Sequence, residues 1–107
     1  MNIKQYVYNL SKQIREGERS PEAREKLAYA RAYMQGEAAL EKYRDSAIAR
    51  EIGKTYNSDA QLAILFNKDI HPEEYEAYQT FRTECKAKVD AELEAKKAEL
   101  EEIINGN

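Results

Sequence analysis

The sequence predicts an all-α protein, a small helical bundle of about four helices with a projecting charged C-terminal helix. Apolar side chains recur at helical spacing, and no segment alternates between polar and apolar residues like a strand. Ala, Glu, Lys and Arg, which favour helices, make up much of the chain. With 107 residues the chain has the length of a single domain, and residues 1–107 are predicted to form one.

The first helix has clear signals at both ends. Asn2 is a good N-cap residue, and the helix is expected to run to about Glu16, where Gly17 would end it. Ser20 and Pro21 then predict an N-cap and the first position of a second helix. The two helices are thus expected to be joined by a short polar link.

The second helical pattern continues to Ile52 and stops at Gly53. Gly36 lies inside this pattern, where glycine costs about 1 kcal/mol relative to alanine. A kink or a break at Gly36 is therefore expected, and the sequence leaves open which of the two occurs.

A short helix and a long helix are predicted for the rest of the chain. Ser58 and Gln61 have the spacing of a capping box, which would open a short helix that contains Leu62, Leu65 and Phe66. Pro72 opens the last helix, whose apolar stripe is Tyr78, Phe81, Cys85, Val89, Leu93, Leu100 and Ile104. Residues 94–107 are mostly Glu, Ala and Lys, and predict a charged helical tail that frays over its last three residues.

The composition predicts a thin core. Hydrophobic residues make up 42% of the chain, but 15 of these 45 residues are alanine. Leu, Ile, Val and Phe together number only 19. A helical protein with so little large apolar volume often gains stability by self-association or by docking on a partner.

The charges are unevenly distributed along the chain. The net charge is −3, with a balance of +2 over residues 1–53 and −5 over residues 54–107. This near-neutral total argues against a general nucleic-acid coat protein. The longest apolar run, Leu62–Phe66, excludes a membrane span, and Met1–Gln5 lack the layout of a secretory signal. We therefore expect a cytoplasmic protein with no membrane contact.

Catalytic and metal-binding patterns are not visible in the sequence. His71 is the only imidazole and Cys85 the only thiol, and Cys85 lies on the apolar stripe, where it should point inward. Glu73, Glu74 and Glu76 are too closely spaced along a helix to converge on one metal ion. The sequence therefore predicts a protein that is not an enzyme, with no cofactor and no metal.

Tyrosine is the dominant aromatic residue, with eight copies against two Phe and no Trp. A tyrosine ring combines a large apolar area with a hydroxyl that tolerates water, which suits half-buried positions and interfaces. Two pairs at helical spacing, Tyr29 with Tyr33 and Tyr75 with Tyr78, are therefore candidate partner-binding residues; lining the edge of a thin core is the alternative.

A second candidate surface is the basic segment of residues 12–31. Its candidate nucleic-acid contacts are Arg15, Arg19, Arg24 and Arg31. Glutamates alternate with these arginines and offset much of their charge. A small nucleic-acid-binding regulator is therefore the alternative function.

Residues 54–93 resemble a family of short proteins from phages and prophages of Gram-positive bacteria. The matching features are Tyr56, Leu62–Leu65, Asp69, Pro72–Glu74, Tyr78 and Glu84–Lys86. The family is often encoded near tail and host-recognition genes and has no assigned activity. The resemblance implies a helical hairpin over 54–93 and a phage or prophage origin.

The leading hypothesis is a non-enzymatic protein–protein interaction protein that is phage- or prophage-encoded. It would act as an assembly or adaptor factor, or as an inhibitor of a host protein. A protein partner from host or phage is expected, and a homo-oligomer is the other form of association that the sequence allows.

Overall fold

The computed structural model describes residues 1–106 and contains five α-helices, with no strand in that range. The helices are α1 (Ile3–Arg15), α2 (Pro21–Gln35), α3 (Glu37–Gly53), α4 (Ser58–Phe66) and α5 (Pro72–Asn105). The all-α prediction is confirmed. Asn107, which belongs to the predicted frayed end, lies outside the described residues.

The first two helix starts form as the sequence predicts. The Asn2 side chain accepts a hydrogen bond from the Gln5 backbone N–H at 2.8 Å. The Ser20 Oγ accepts one from the Ala23 backbone N–H at 3.2 Å, and Pro21 occupies the first helical position. Each cap satisfies a backbone donor that has no partner within its own helix.

Gly36 breaks the helix that the pattern extends from Pro21 to Ile52. Its φ of 114° lies in the region that favours glycine and is not a helical value, so α2 ends at this residue. The Gly36 N–H still donates to the Ala32 carbonyl, and the Gly36 carbonyl accepts from the Leu40 N–H, both at 3.1 Å. The outcome is two helices joined at a single residue.

The predicted capping box at Ser58 is wrong by one residue. Asn57 is the N-cap of α4, because its side chain accepts from the Ala60 N–H at 2.8 Å, and Ser58 is the first helical residue. Asn and Ser cap helices about equally well, so the residue types did not decide between these neighbours. The Gln61 side chain forms hydrogen bonds with the Tyr56 carbonyl and the Tyr78 hydroxyl instead.

The chain divides into two compact units, one formed by residues 1–43 and the chain from residue 93 onward, the other by residues 44–92. The buried core of the first unit consists of Val7, Leu10, Leu27, Tyr29, Ala30 and Leu100. Leu100 is only 4% exposed, and Leu93 and Ile104 pack against the cluster. The charged tail is therefore helical as predicted, but it packs into a core rather than projecting.

The second unit is built from the end of α3, all of α4 and the first part of α5. Its buried hydrophobic residues are Ile48, Ile52, Tyr78, Cys85 and Val89. The Tyr56 ring, in the link between α3 and α4, makes edge contacts with the rings of Tyr78 and Phe81 at centroid distances of 5.2 and 5.3 Å. These contacts hold the link against α5.

Candidate interaction site on helix α4

Helix α4 exposes a face of large apolar side chains. Leu62, Leu65 and Phe66 are 52%, 44% and 83% exposed, and Ile70 in the following turn is 72% exposed. Their positions at i, i+3, i+4 and i+8 are those of one helical face continued into the turn. We call these four residues the α4 patch.

The α4 patch concentrates exposed apolar side chains on one short segment of the chain. Four large side chains are exposed to this extent on one short segment, and the largest apolar patch on a monomer is often functional. No residue of α4 is fully buried. The helix therefore uses little of its apolar content within its own unit.

The opposite side of α4 attaches the helix to its unit. Ala60, Gln61 and Ile64 are half-buried on this side. The Gln61 Oε1 accepts a 2.6 Å hydrogen bond from the Tyr78 hydroxyl, and the Gln61 Nε2 donates a 2.9 Å bond to the Tyr56 carbonyl. One glutamine thus links α4 both to α5 and to the preceding link.

Acidic residues flank the α4 patch at both ends. Asp59 precedes it and Asp69 lies within its last turn, and both are exposed. Neither forms an ion pair with any residue in the described range 1–106. Lys68, between them, lies with its Nζ 5.9 Å from the centroid of the Tyr75 ring. With two acids and one lysine, the edges of the apolar face carry a net negative charge.

The predicted partner-binding tyrosines lie mostly inside the protein. Tyr29 and Tyr78 are 5% and 3% exposed, and belong to the cores of the first and second unit. Burial, together with the nearby Tyr33 hydroxyl, raises the pKa of Tyr29. Tyr33 and Tyr75 are half-buried, and the Tyr29 and Tyr33 rings lie 6.4 Å apart. The structure places the first pair together at a core, and in each pair one ring is buried while the other stays partly exposed.

Sequence reasoning missed the α4 patch, although a signal was present. Leu62–Phe66 is the longest apolar run of the chain, and it lies within a helix of only nine residues. Five consecutive apolar residues surround a helix, so a helix that packs on one side must expose some of them. The run therefore indicated an exposed apolar face as well as a buried one.

The predicted nucleic-acid contacts lie on the surface of the first unit, where Arg15, Arg19, Arg24 and Arg31 are all exposed. The Arg31 Nη2 donates to the Ser11 Oγ at 3.2 Å, which links α2 to α1. Exposed glutamates alternate with the arginines along the chain, so these side chains form a surface of mixed charge.

The single histidine, His71, and the single cysteine, Cys85, lie in different surroundings. The His71 side chain is 53% exposed, and its Nδ1 lies 3.9 Å from a carboxylate oxygen of Glu73. Cys85 is buried as the stripe predicts, and burial raises the pKa of its thiol. Within residues 1–106 no three His, Cys, Asp or Glu side chains are placed to share a metal ion.

Comparisons with protein-family models, with curated proteins and with solved structures find no match for this chain. Within the described residues, no helix is both long and apolar enough to cross a membrane.

Proposed function

We propose that this chain is a non-enzymatic interaction protein that binds a protein partner through the α4 patch. The observation that carries the proposal is the exposure of Leu62, Leu65, Phe66 and Ile70 on one face. A large apolar side chain gains about 1.5–3 kcal/mol when it moves from water into a packed interface. Four such side chains on one face are sufficient to anchor a protein contact.

The hydrogen bonds that attach α4 to the rest of its unit support this proposal. Gln61 and its hydrogen bonds to Tyr56 and Tyr78 hold the helix in place before any partner arrives. A binding face that is already ordered loses less conformational entropy on association. The α4 patch is thus both apolar and pre-organised, which are the properties of an efficient binding surface.

We further propose a phage or prophage origin, with the protein acting as an assembly or adaptor factor or as an inhibitor of a host protein. The resemblance of residues 54–93 to short phage proteins supports this setting. The α4 patch lies within that segment. Either role requires a surface that binds another protein, and neither requires a catalytic group.

Differential capture tests the proposal. The tagged chain and its Phe66→Asp variant are incubated with lysate of infected or lysogenic cells, and the retained proteins are compared by mass spectrometry. Tyr8→Asp is the matched control, because Tyr8 is also a large side chain, 58% exposed, outside the α4 patch. The expected result is a partner retained by the parent chain and by Tyr8→Asp but lost by Phe66→Asp. Equal retention by all three chains would contradict the proposal.

The alternative function, nucleic-acid binding by residues 12–31, has one observation in its favour. Arg15, Arg19 and Arg24 are exposed, and none forms an ion pair with a residue of the described range. A salt-dependent mobility shift that disappears in the triple alanine variant at these positions would support this function. The absence of a shift at low salt would exclude it.

A further inference from the structure

The second unit contains a groove of about 440 Å³ between residues of α3, α4 and α5. Ile48 and Ile52 of α3 provide buried apolar lining. Asp45 of α3 and Arg82 and Lys86 of α5 provide charged lining. Gln61 of α4 also lines the groove. Its volume is within the range of about 300–1,000 Å³ that is usual for binding clefts.

The positive charge at this groove is only partly compensated. Arg44, which also lines it, is bonded to Asp90, with an Nε–Oδ1 distance of 2.6 Å. By contrast, neither Arg82 nor Lys86 forms an ion pair with any residue that the structure describes. The Arg82 guanidinium lies over the Tyr78 ring, 5.8 Å from its centroid. Asp45 also lines the groove, together with three cationic residues, so the charge of the lining is positive on balance. An apolar lining with this positive balance suits an apolar segment that carries acidic residues.

The α4 patch has this chemistry. It presents Phe66 and Ile70 as its most exposed apolar side chains, and Asp59 and Asp69 as unpaired acids at its edges. The patch lies on the exposed side of α4, whereas Gln61 lines the groove from the inner side of the same helix. A chain therefore cannot place its own patch in its own groove.

We propose that the α4 patch of one copy docks in the groove lined by Ile48, Ile52, Arg82 and Lys86 of a second copy. This inference rests on the proposed function, since it takes the α4 patch as a binding face and names the partner. A contact of patch against patch would bring the same acidic flanks together. The patch-to-groove contact pairs them with Arg82 and Lys86 instead.

The contact joins two different surfaces, so each copy retains a free patch or a free groove after pairing. Such a heterologous contact grows into a ring or an open chain, whereas a two-fold contact stops at the dimer. This difference provides the test. Sedimentation velocity of the full chain over a wide concentration range measures whether copies associate and whether the assembly grows.

Two variants remove one half of the contact each. Phe66→Asp alters the patch, and the double variant Arg82→Glu, Lys86→Glu alters the groove. Each is expected to weaken self-association at least tenfold, about 1.4 kcal/mol per factor of ten. When the two variants are mixed, one intact patch still meets one intact groove, so the mixture should form dimers that do not grow further.

Three results would overturn the inference. They are a parent chain that stays monomeric at all concentrations, a groove variant that associates like the parent, and a mixture that stays monomeric. Tyr8→Asp is the control and should associate like the parent, and circular dichroism verifies that every variant is helical. The groove variant could self-associate like the parent while Phe66→Asp loses a captured partner. In that case the proposed function stands and the second-copy assignment fails. If Phe66→Asp loses neither contact, both fail.

Discussion

The Tyr78 hydroxyl donates a 2.6 Å hydrogen bond to the Gln61 Oε1, and this contact fixes the helix that carries the α4 patch. Tyr78 is buried on α5, while Gln61 lies on the inner side of α4. Because α4 contains no fully buried residue, its position depends strongly on such polar contacts. The exposed face on the other side is therefore displayed by a short helix that α5 holds in place.

Tyr78→Phe removes this hydrogen bond and leaves the ring in the core. Since the Gln61 Oε1 loses its partner, the free energy of unfolding should fall by about 0.5–1.5 kcal/mol. Urea denaturation measures the change. Tyr33→Phe is the matched control and should change stability little, because its hydroxyl forms no hydrogen bond with a residue of 1–106. Equal losses in the two variants would contradict the assigned role of the Gln61 contact.

The ionised Glu51 carboxylate should contribute folding stability that is lost at acid pH. Its carboxylate accepts hydrogen bonds from Lys88 at 2.6 Å and Lys54 at 2.9 Å, which lower its pKa below the ordinary value. A lowered folded-state pKa contributes stability that is present above the unfolded-state pKa and is lost as pH falls through the folded-state pKa. Glu51→Gln should therefore flatten the acid limb of the curve of urea midpoint against pH. Glu76→Gln, at an exposed position, should leave that limb unchanged, and a limb that is identical in all three chains would contradict the prediction.

Gly36→Ala tests the break between α2 and α3. The φ of 114° at this position is unfavourable for alanine, so the substitution should cost about 1–3 kcal/mol of unfolding free energy. Gly53→Ala is the control, because Gly53 ends α3 without a positive φ and a Cβ there meets no atom within 4 Å. Gly53→Ala should be neutral or stabilise the protein by up to about 1 kcal/mol. The prediction fails if Gly36→Ala is as stable as Gly53→Ala.

Leu100→Ala tests the packing of the charged tail. Leu100 is 4% exposed in the core of the first unit, so truncating it should cost about 2–5 kcal/mol. Leu62→Ala, at a side chain that is 52% exposed, should change stability by no more than about 0.5 kcal/mol. Thermal or urea unfolding compares the two. A tail that projected into solvent would give two equally small effects.

Local signals predicted most of the helix boundaries. Asn2, Ser20 and Pro21 act within one turn of the chain, so their caps follow from residue type and spacing. Gly36 was identified as the weak point of a helix, but its φ depends on how the flanking helices pack, which the pattern does not encode. Asn57 and Ser58 are both good caps, and the local pattern favoured the wrong one.

Tertiary packing explains what the sequence did not predict. Tyrosine at helical spacing fits either a core edge or an interface, and Tyr29 and Tyr78 lie in cores. Leu100 follows a run of Glu, Ala and Lys that is typical of a solvated helix, yet it completes a core with residues distant in sequence. Phe66 lies in an apolar run that surrounds its helix, and it is exposed because the helix packs by the opposite side.

The central claim is that the α4 patch is the interaction surface. Tryptophan fluorescence emission at that surface tests it most directly. The chain has no tryptophan, so Phe66→Trp introduces a single indole as a reporter, and Tyr8→Trp places the matched reporter on an exposed site elsewhere. On addition of the captured partner, or on self-association, the emission at position 66 should shift to shorter wavelength while that at position 8 stays unchanged. An indole at position 66 that keeps its solvent-exposed emission in the bound state would contradict the account.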